Sequence, residues 1–171
     1  MSILPIVVAP DPRLKSKSRL VDTVDSKIQT LMNDMLETMY AEPGIGLAAP
    51  QVGVNLRVIV VDVSKSGEVR QPIRMANPEI IWSSDIDHCQ EEGCLSFPNQ
   101  FAKVIRPEEI KVTYLDESNN IKELNAGGML ATCVQHEIDH LDGVLFVDHI
   151  SSLKRNMILR KLMKYKKSLV D

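Results

Sequence analysis

Residues 136–140 read His-Glu-Ile-Asp-His, an H-E-x-x-H stretch. Residues four apart on a helix lie roughly one turn apart and about 40° around the axis. On such a helix, His136 and His140 can present imidazole nitrogens to one divalent metal. Glu137, about 100° around from His136, can lean toward a water at that metal without binding the metal itself, as a general base does. A metal lowers the pKa of a bound water toward ~7, so the chemistry such a group supports is hydrolysis. The plainer alternative is a solvated helix carrying two unrelated histidines.

Two imidazoles do not complete a catalytic site, which takes three protein ligands and keeps one position open. The candidates for the third ligand are His149, the few acids downstream of the helix, and Cys94. His149 lacks the H-E-x-x-H-x-x-G-x-x-H spacing of the metzincins and reads as structural or exposed. Cys94 sits between a glycine and a loop, where a thiolate can reach a metal. Cys133, three residues before His136, shares its face and reads as a small apolar wall of the pocket rather than a fourth ligand. His88 and Cys89 fall in a stretch, 83–91, that reads as an exposed loop.

These residues need elements to hold them. A chain of 171 residues suits one domain, 1–171, and buries enough surface to need no staples. Asp25 is a plausible N-cap, and Ile28, Leu31, Met32, Met35, Leu36 and Met39 follow at helical spacing. Glu42-Pro43-Gly44 ends that helix. Gly44 to Gln51 is rich in glycine and alanine and reads as a narrow cleft wall, because no Lys-Ser/Thr follows to make it a phosphate loop. Arg57–Val63 reads as a buried strand, 3–9 as a short strand, and 110–124 as a hairpin. An apolar segment at 73–82 is broken by Asn77-Pro78. Gly127-Gly128 precedes the motif helix and Gly143 stops it.

Three cysteines make no even disulfide framework. The N-terminus lacks a basic n-region, and no window approaches a membrane span, so the cytoplasm is expected and no membrane partner is. The net charge is −3, yet residues 151–171 carry seven basic side chains against Asp171 alone. They read as a basic C-terminal helix for an anionic partner.

Taken together, Gly-Ile-Gly-Leu-Ala-Ala-Pro-Gln at 44–51, Glu-Gly-Cys-Leu-Ser at 92–96 and Gln-His-Glu-Ile-Asp-His at 135–140 resemble, in order, the three signature motifs of peptide deformylases. The likeness extends to Leu-Phe-Val-Asp-His at 145–149 and to the basic helix. It implies an α+β fold, with small, mostly antiparallel sheets around a central H-E-x-x-H helix and a C-terminal helix. It implies removal of the formyl group from N-formylmethionine of nascent polypeptides. By match to the family, Cys94, His136 and His140 are metal ligands and Glu137 is the catalytic acid–base. Gln51 and the Leu95 backbone N–H hold the developing oxyanion. Ile45, Gly46, Gly93, Met129 and Cys133 bind substrate around an apolar slot for methionine, and Glu92 with Arg106 buttresses the site. The expected metal is Fe2+, one per chain, with Zn2+, Ni2+ or Co2+ able to substitute. A monomer is expected, and the basic helix implies a contact with the ribosome. Phe101 departs from the pattern, standing where many bacterial members carry a basic residue.

The site is also electrically reasonable: a dication, one thiolate and one carboxylate sum to zero, so little net charge is buried. The competing reading is a zincin-type metallopeptidase, which requires a third ligand downstream of His140. A non-catalytic binder of formyl peptides is a poorer fit to intact Glu137, Gln51 and Cys94.

Overall fold

The structure is a computed structural model and describes residues 2–170. The described residues contain three α-helices: α1 (Ser26–Ala41), α2 (Gly128–Leu141) and α3 (Ser152–Val170). A five-stranded antiparallel sheet contains β1 (Gly46–Ala48), β2 (Val58–Val61), β3 (Ile73–Ser83), β6 (Glu109–Leu115) and β7 (Ile121–Gly127), in the order β1-β2-β3-β6-β7. A separate antiparallel pair joins β4 (Asp87–Cys94) to β5 (Phe97–Pro107). This is the expected α+β arrangement, with α2 central and α3 last.

The larger sheet lies between α1 and α2. Along β2, Ile59 and Val61 pack with Val134, Ile138 and Leu141 of α2, while Val58 and Val60 pack with Met32, Met35 and Met39 of α1. A strand buried on both faces needs an unbroken apolar run rather than alternation, which Val-Ile-Val-Val supplies. At the start of α1, the Asp25 carboxylate accepts from the Ile28 N–H at 3.0 Å, the expected N-cap. Helix α2 stops at Gly143, whose φ of +74° and close approach to the Lys15 carbonyl leave no room for a Cβ. The Leu141 carbonyl at that end accepts from Ser18 N at 2.7 Å and Arg57 Nη1 at 3.0 Å. The carbonyls left free at a helix end are thereby satisfied.

Three local expectations are corrected. Residues 3–9 form no strand; Val7 N donates to Gln51 O and Ala9 N to Ser96 O, as single bonds. Pro5 removes a donor from this stretch and Pro10 one just past it, so no ladder propagates. The segment 73–82 is not broken at Asn77-Pro78 but bulged there. Asn77 takes φ +51°, the ladder shifts register between Ala76 and Glu79, and the Asn77 amide bonds both N–H and C=O of Val21. Finally, 83–91 is not a loop: from Asp87 it is strand β4, paired residue by residue with β5. Its polar composition hid it, because its buried side carries Glu92 toward the motif helix instead of an apolar row.

Candidate metal centre

Helix α2 carries His136, Glu137 and His140 inward, all buried. Gln135, one residue earlier, anchors the helix to β5 by donating its amide to Pro107 O at 3.0 Å. Strand β4 ends at Cys94, opposite the helix. One donor atom each from Cys94, His136 and His140 lies within 4.8 Å of the others, and the Cys94 sulfur is 3.3 Å from His140 Nε2. Metal–sulfur and metal–nitrogen bonds of ordinary length, arranged tetrahedrally, put donor atoms roughly 3.5 Å apart. The cluster therefore fits one cation, and a thiolate with two imidazoles suits a first-row transition metal over Mg2+ or Ca2+. The third donor comes from upstream. His149 instead donates Nε2–H to Asp139 at 2.8 Å, and among the described residues no acid downstream of the helix joins the cluster, so the zincin reading lacks its ligand.

The first imidazole is held from behind. His136 Nδ1 donates to Glu92 Oε1 at 2.9 Å, leaving Nε2 for the donor cluster. Glu92 accepts two further bonds from Arg106, at 2.6 and 2.9 Å, so the expected buttressing pair is present and buried. Burial alone would raise the Glu92 carboxyl, but the bonds from His136 and Arg106 and the Arg106 charge lower it to about 2. Burial disfavours a charged His136; the Glu137 charge and bonds from Cys94 and Glu92 overcome this and raise it. His140 is pushed down by burial and by the charges of His136 and Arg106, and its buried Nδ1 has no partner among the described residues.

Glu137 is pushed up to about 7, chiefly by burial, which suits a group that must both take and give a proton near neutrality. Its Oε1 is buried without a bonding partner among the described residues. Its Oε2 lies where a Cβ on Gly46 would approach to 2.6 Å, so only glycine at 46 leaves the carboxylate its place. Gln51 is fully oriented: Oε1 accepts from Ala48 N at 3.0 Å, and Nε2 donates to Ser96 Oγ at 3.1 Å and toward the Cys94 sulfur at 3.4 Å.

A cleft of about 560 Å³ opens over this cluster. Ile45, Gly46, Gly93, Leu95, Met129 and Cys133 all line it, together with Thr132. The Cys133 thiol is raised by burial and by the Glu137 and Glu92 charges, and it donates to Ile45 O at 3.4 Å, a wall and not a ligand. The exposed Phe101 ring lies against Gly93 at the cleft mouth. Tyr165 of α3 also lines the cleft. Reasoning from sequence missed Tyr165, Ser96 behind Gln51, and Phe146, whose ring stacks on His136 with centroids 6.0 Å apart. Ser96 had a signal in its place beside Cys94 in the second motif, and Phe146 one in the Leu-Phe-Val-Asp-His stretch; Tyr165 had none.

Residues 3–156 match the family model described as polypeptide deformylase. The chain is 53% identical to the peptide deformylase of Methylocella silvestris over 167 residues, covering 96% of this chain and 85% of the relative. It is 51% identical to that of Rhizobium meliloti, covering 98% and 97%. The crystal structure of peptide deformylase from Ehrlichia chaffeensis superposes with a TM-score of 0.95 at 40% identity, covering 99% of this chain and all of that one.

Proposed function

This chain belongs to the polypeptide deformylase family, a class of metal-dependent deformylases acting on new polypeptides, and on that premise we propose how its own residues do the work. Cys94, His136 and His140 hold the cation, Glu137 carries the proton, and Gln51 with the Leu95 backbone N–H receives the oxyanion. The observation that carries this reading is the meeting of one sulfur and two imidazoles beside the Glu137 carboxylate, whose buried Oε1 has no partner among the described residues. When bound, the metal supplies Lewis acidity and lowers the pKa of a water toward ~7.

The rest falls to the protein. The cleft receives the N-formylmethionine end, with the methionine side chain against Met129, Cys133 and Ile45. An apolar slot of this kind discriminates by about 1–3 kcal/mol per methylene, so norleucine is accepted in place of methionine. Glu137 takes a proton from the attacking water and delivers it to the leaving amine as the C–N bond breaks, giving formate and a free N-terminus. Gln51 Nε2 and Leu95 N–H stabilise the charge that develops on the formyl oxygen; one such donor is typically worth about 10²–10³ in rate. Gln51 is suited to this because Ala48 fixes its oxygen and Ser96 Oγ holds one N–H, which leaves the other directed toward Cys94.

The test is Glu137→Ala, assayed by formate release from formyl-Met-Ala-Ser alongside metal analysis. Turnover is expected to fall by about 10³-fold or more with metal content unchanged. Retention of more than about a tenth of wild-type turnover removes Glu137 from its role. We assign Fe2+ as the native metal on the resemblance to the family, because a thiolate with two imidazoles suits zinc equally; anaerobic purification with metal analysis decides between the two. The exposed basic residues of α3 suit RNA phosphates of the ribosome, which salt-dependent co-sedimentation tests.

A further inference from the structure

The ion pair behind His136 does not end at Arg106. Arg106 Nη1 donates to Asp139 Oδ2 at 2.8 Å, and the same oxygen accepts from His149 Nε2 at 2.8 Å. Side-chain exposure rises outward along this line, from 4% at Glu92 and 6% at Arg106 to 25% at Asp139 and 35% at His149. A continuous path of bonds thus runs from a buried imidazole to the surface. Its outer end is a residue that neither binds the cation cluster nor lines the cleft.

His149 closes the short 3-10 turn Phe146–His149. The first residue of that turn stacks its ring on His136. One turn therefore bears on the same imidazole twice, by packing through Phe146 and by hydrogen bonds through His149.

We propose that His149 is a positioning residue for the metal site, acting through Asp139, Arg106 and Glu92 on the orientation of His136. A carboxylate only accepts hydrogen bonds, so His149 must present a proton on Nε2 to Asp139. Asp139 is partly exposed, and without that donor its carboxylate is free to turn toward water. Arg106 is almost fully buried and relies on Asp139 to satisfy Nη1. When Asp139 turns away, the guanidinium loses one of its two anchors, and the fork it offers Glu92 loosens. Among the described residues Glu92 is the only partner of His136 Nδ1, so the loss reaches the ligand as rotational freedom. Groups that directly hold a ligand change metal affinity by about 10–100-fold, and His149 stands further out, so its effect is smaller.

The proposal rests on the assignment of Cys94, His136 and His140 as ligands, and the test separates the two. Cobalt-loaded wild type, H149A and H149Q are each mixed with excess EDTA, the rate of cobalt release is followed by absorbance, and cobalt uptake by H136A is measured alongside. H149A is expected to release cobalt about three- to tenfold faster, and H149Q, which still offers an N–H donor, to stay within about twofold of wild type. KM for formyl-Met-Ala-Ser should not move in H149A, because His149 is outside the cleft. Wild-type release from H149A overturns the proposal. Equal acceleration in H149A and H149Q also overturns it, since packing and not the donated bond would then be responsible. If H136A takes up cobalt as wild type does, the ligand assignment itself fails; loss of uptake in H136A with wild-type release from H149A sinks only the role of His149. Circular dichroism checks each fold, and H149S replaces H149A if the latter does not fold.

Discussion

His136 and His140 lie one turn apart on α2, and what stands behind each differs. Behind His136 are a buried carboxylate, the Arg106 guanidinium and a stacked aromatic ring. Behind His140, the buried Nδ1 meets no partner among the described residues. The shifts of the two rings also run in opposite directions: the Glu137 charge and bonds from Cys94 and Glu92 raise His136 against its burial, whereas burial and the charges of His136 and Arg106 lower His140. Two identical residues in one motif are therefore different components: the first is aimed by a charged network, and the second is placed by the helix backbone and by the sulfur facing it.

The largest expected effect is from removing the network where it touches the ligand. Glu92→Ala leaves Arg106 as a buried charge with Asp139 alone and frees the His136 ring. Stability should drop by about 3–5 kcal/mol, as when one member of a buried pair is deleted. Metal affinity should drop about 10–100-fold. Denaturant unfolding and competition with a chelator measure the two. If both changed by less than a third of these amounts, the asymmetry between the imidazoles would have no energetic content.

Much of this arrangement was legible from residues, and the reasons for the exceptions are physical. The Asp25 cap and the apolar spacing after it gave α1, and Val58–Val61 gave a doubly buried strand. The motif gave two donors and a base. Strand β4 was not legible, because strand patterns are read from apolar alternation and this strand turns a carboxylate inward. Nothing local to Cys94 separated it from His149 as third donor; the resemblance did that, as it also supplied Glu92 and Arg106. Asp139 was visible inside the motif, but its joint contact with Arg106 and His149 depends on how β5 and the 146–149 turn pack on α2. Contacts between segments so far apart in sequence leave no periodic trace.

A smaller effect, read through pH, sharpens the same comparison. The Glu92 carboxyl titrates at about 2 in the folded chain against an ordinary value of 4.5. A depressed acid contributes stability above its unfolded pKa and loses it as pH falls through the folded one. The contribution is therefore complete above pH 4.5 and fades toward pH 2, about 3 kcal/mol in all. The stability gap between metal-stripped wild type and Glu92→Gln, followed by urea unfolding, should narrow across that window. His140 has no such carboxylate. A gap of constant size from pH 6 to about pH 2 would mean that Glu92 does not depend on its charge.

The smallest expected effect concerns the ring behind His136. Phe146 is buried, stacks on His136 and meets Phe97 edge-on with centroids 5.1 Å apart. Phe146→Leu keeps most of the volume and should cost about 1 kcal/mol, the scale of a tolerated apolar exchange in a core. The flat face that limits tilting of the imidazole is lost, while the Glu92 bond that sets its rotation remains. Metal release should then quicken less than in Glu92→Ala. The imidazole signals of the zinc-loaded protein should shift for His136 and stay in place for His140. Equal shifts at both rings would show that the stack supports the site as a whole, and that the division between an aimed imidazole and a placed one is drawn too sharply.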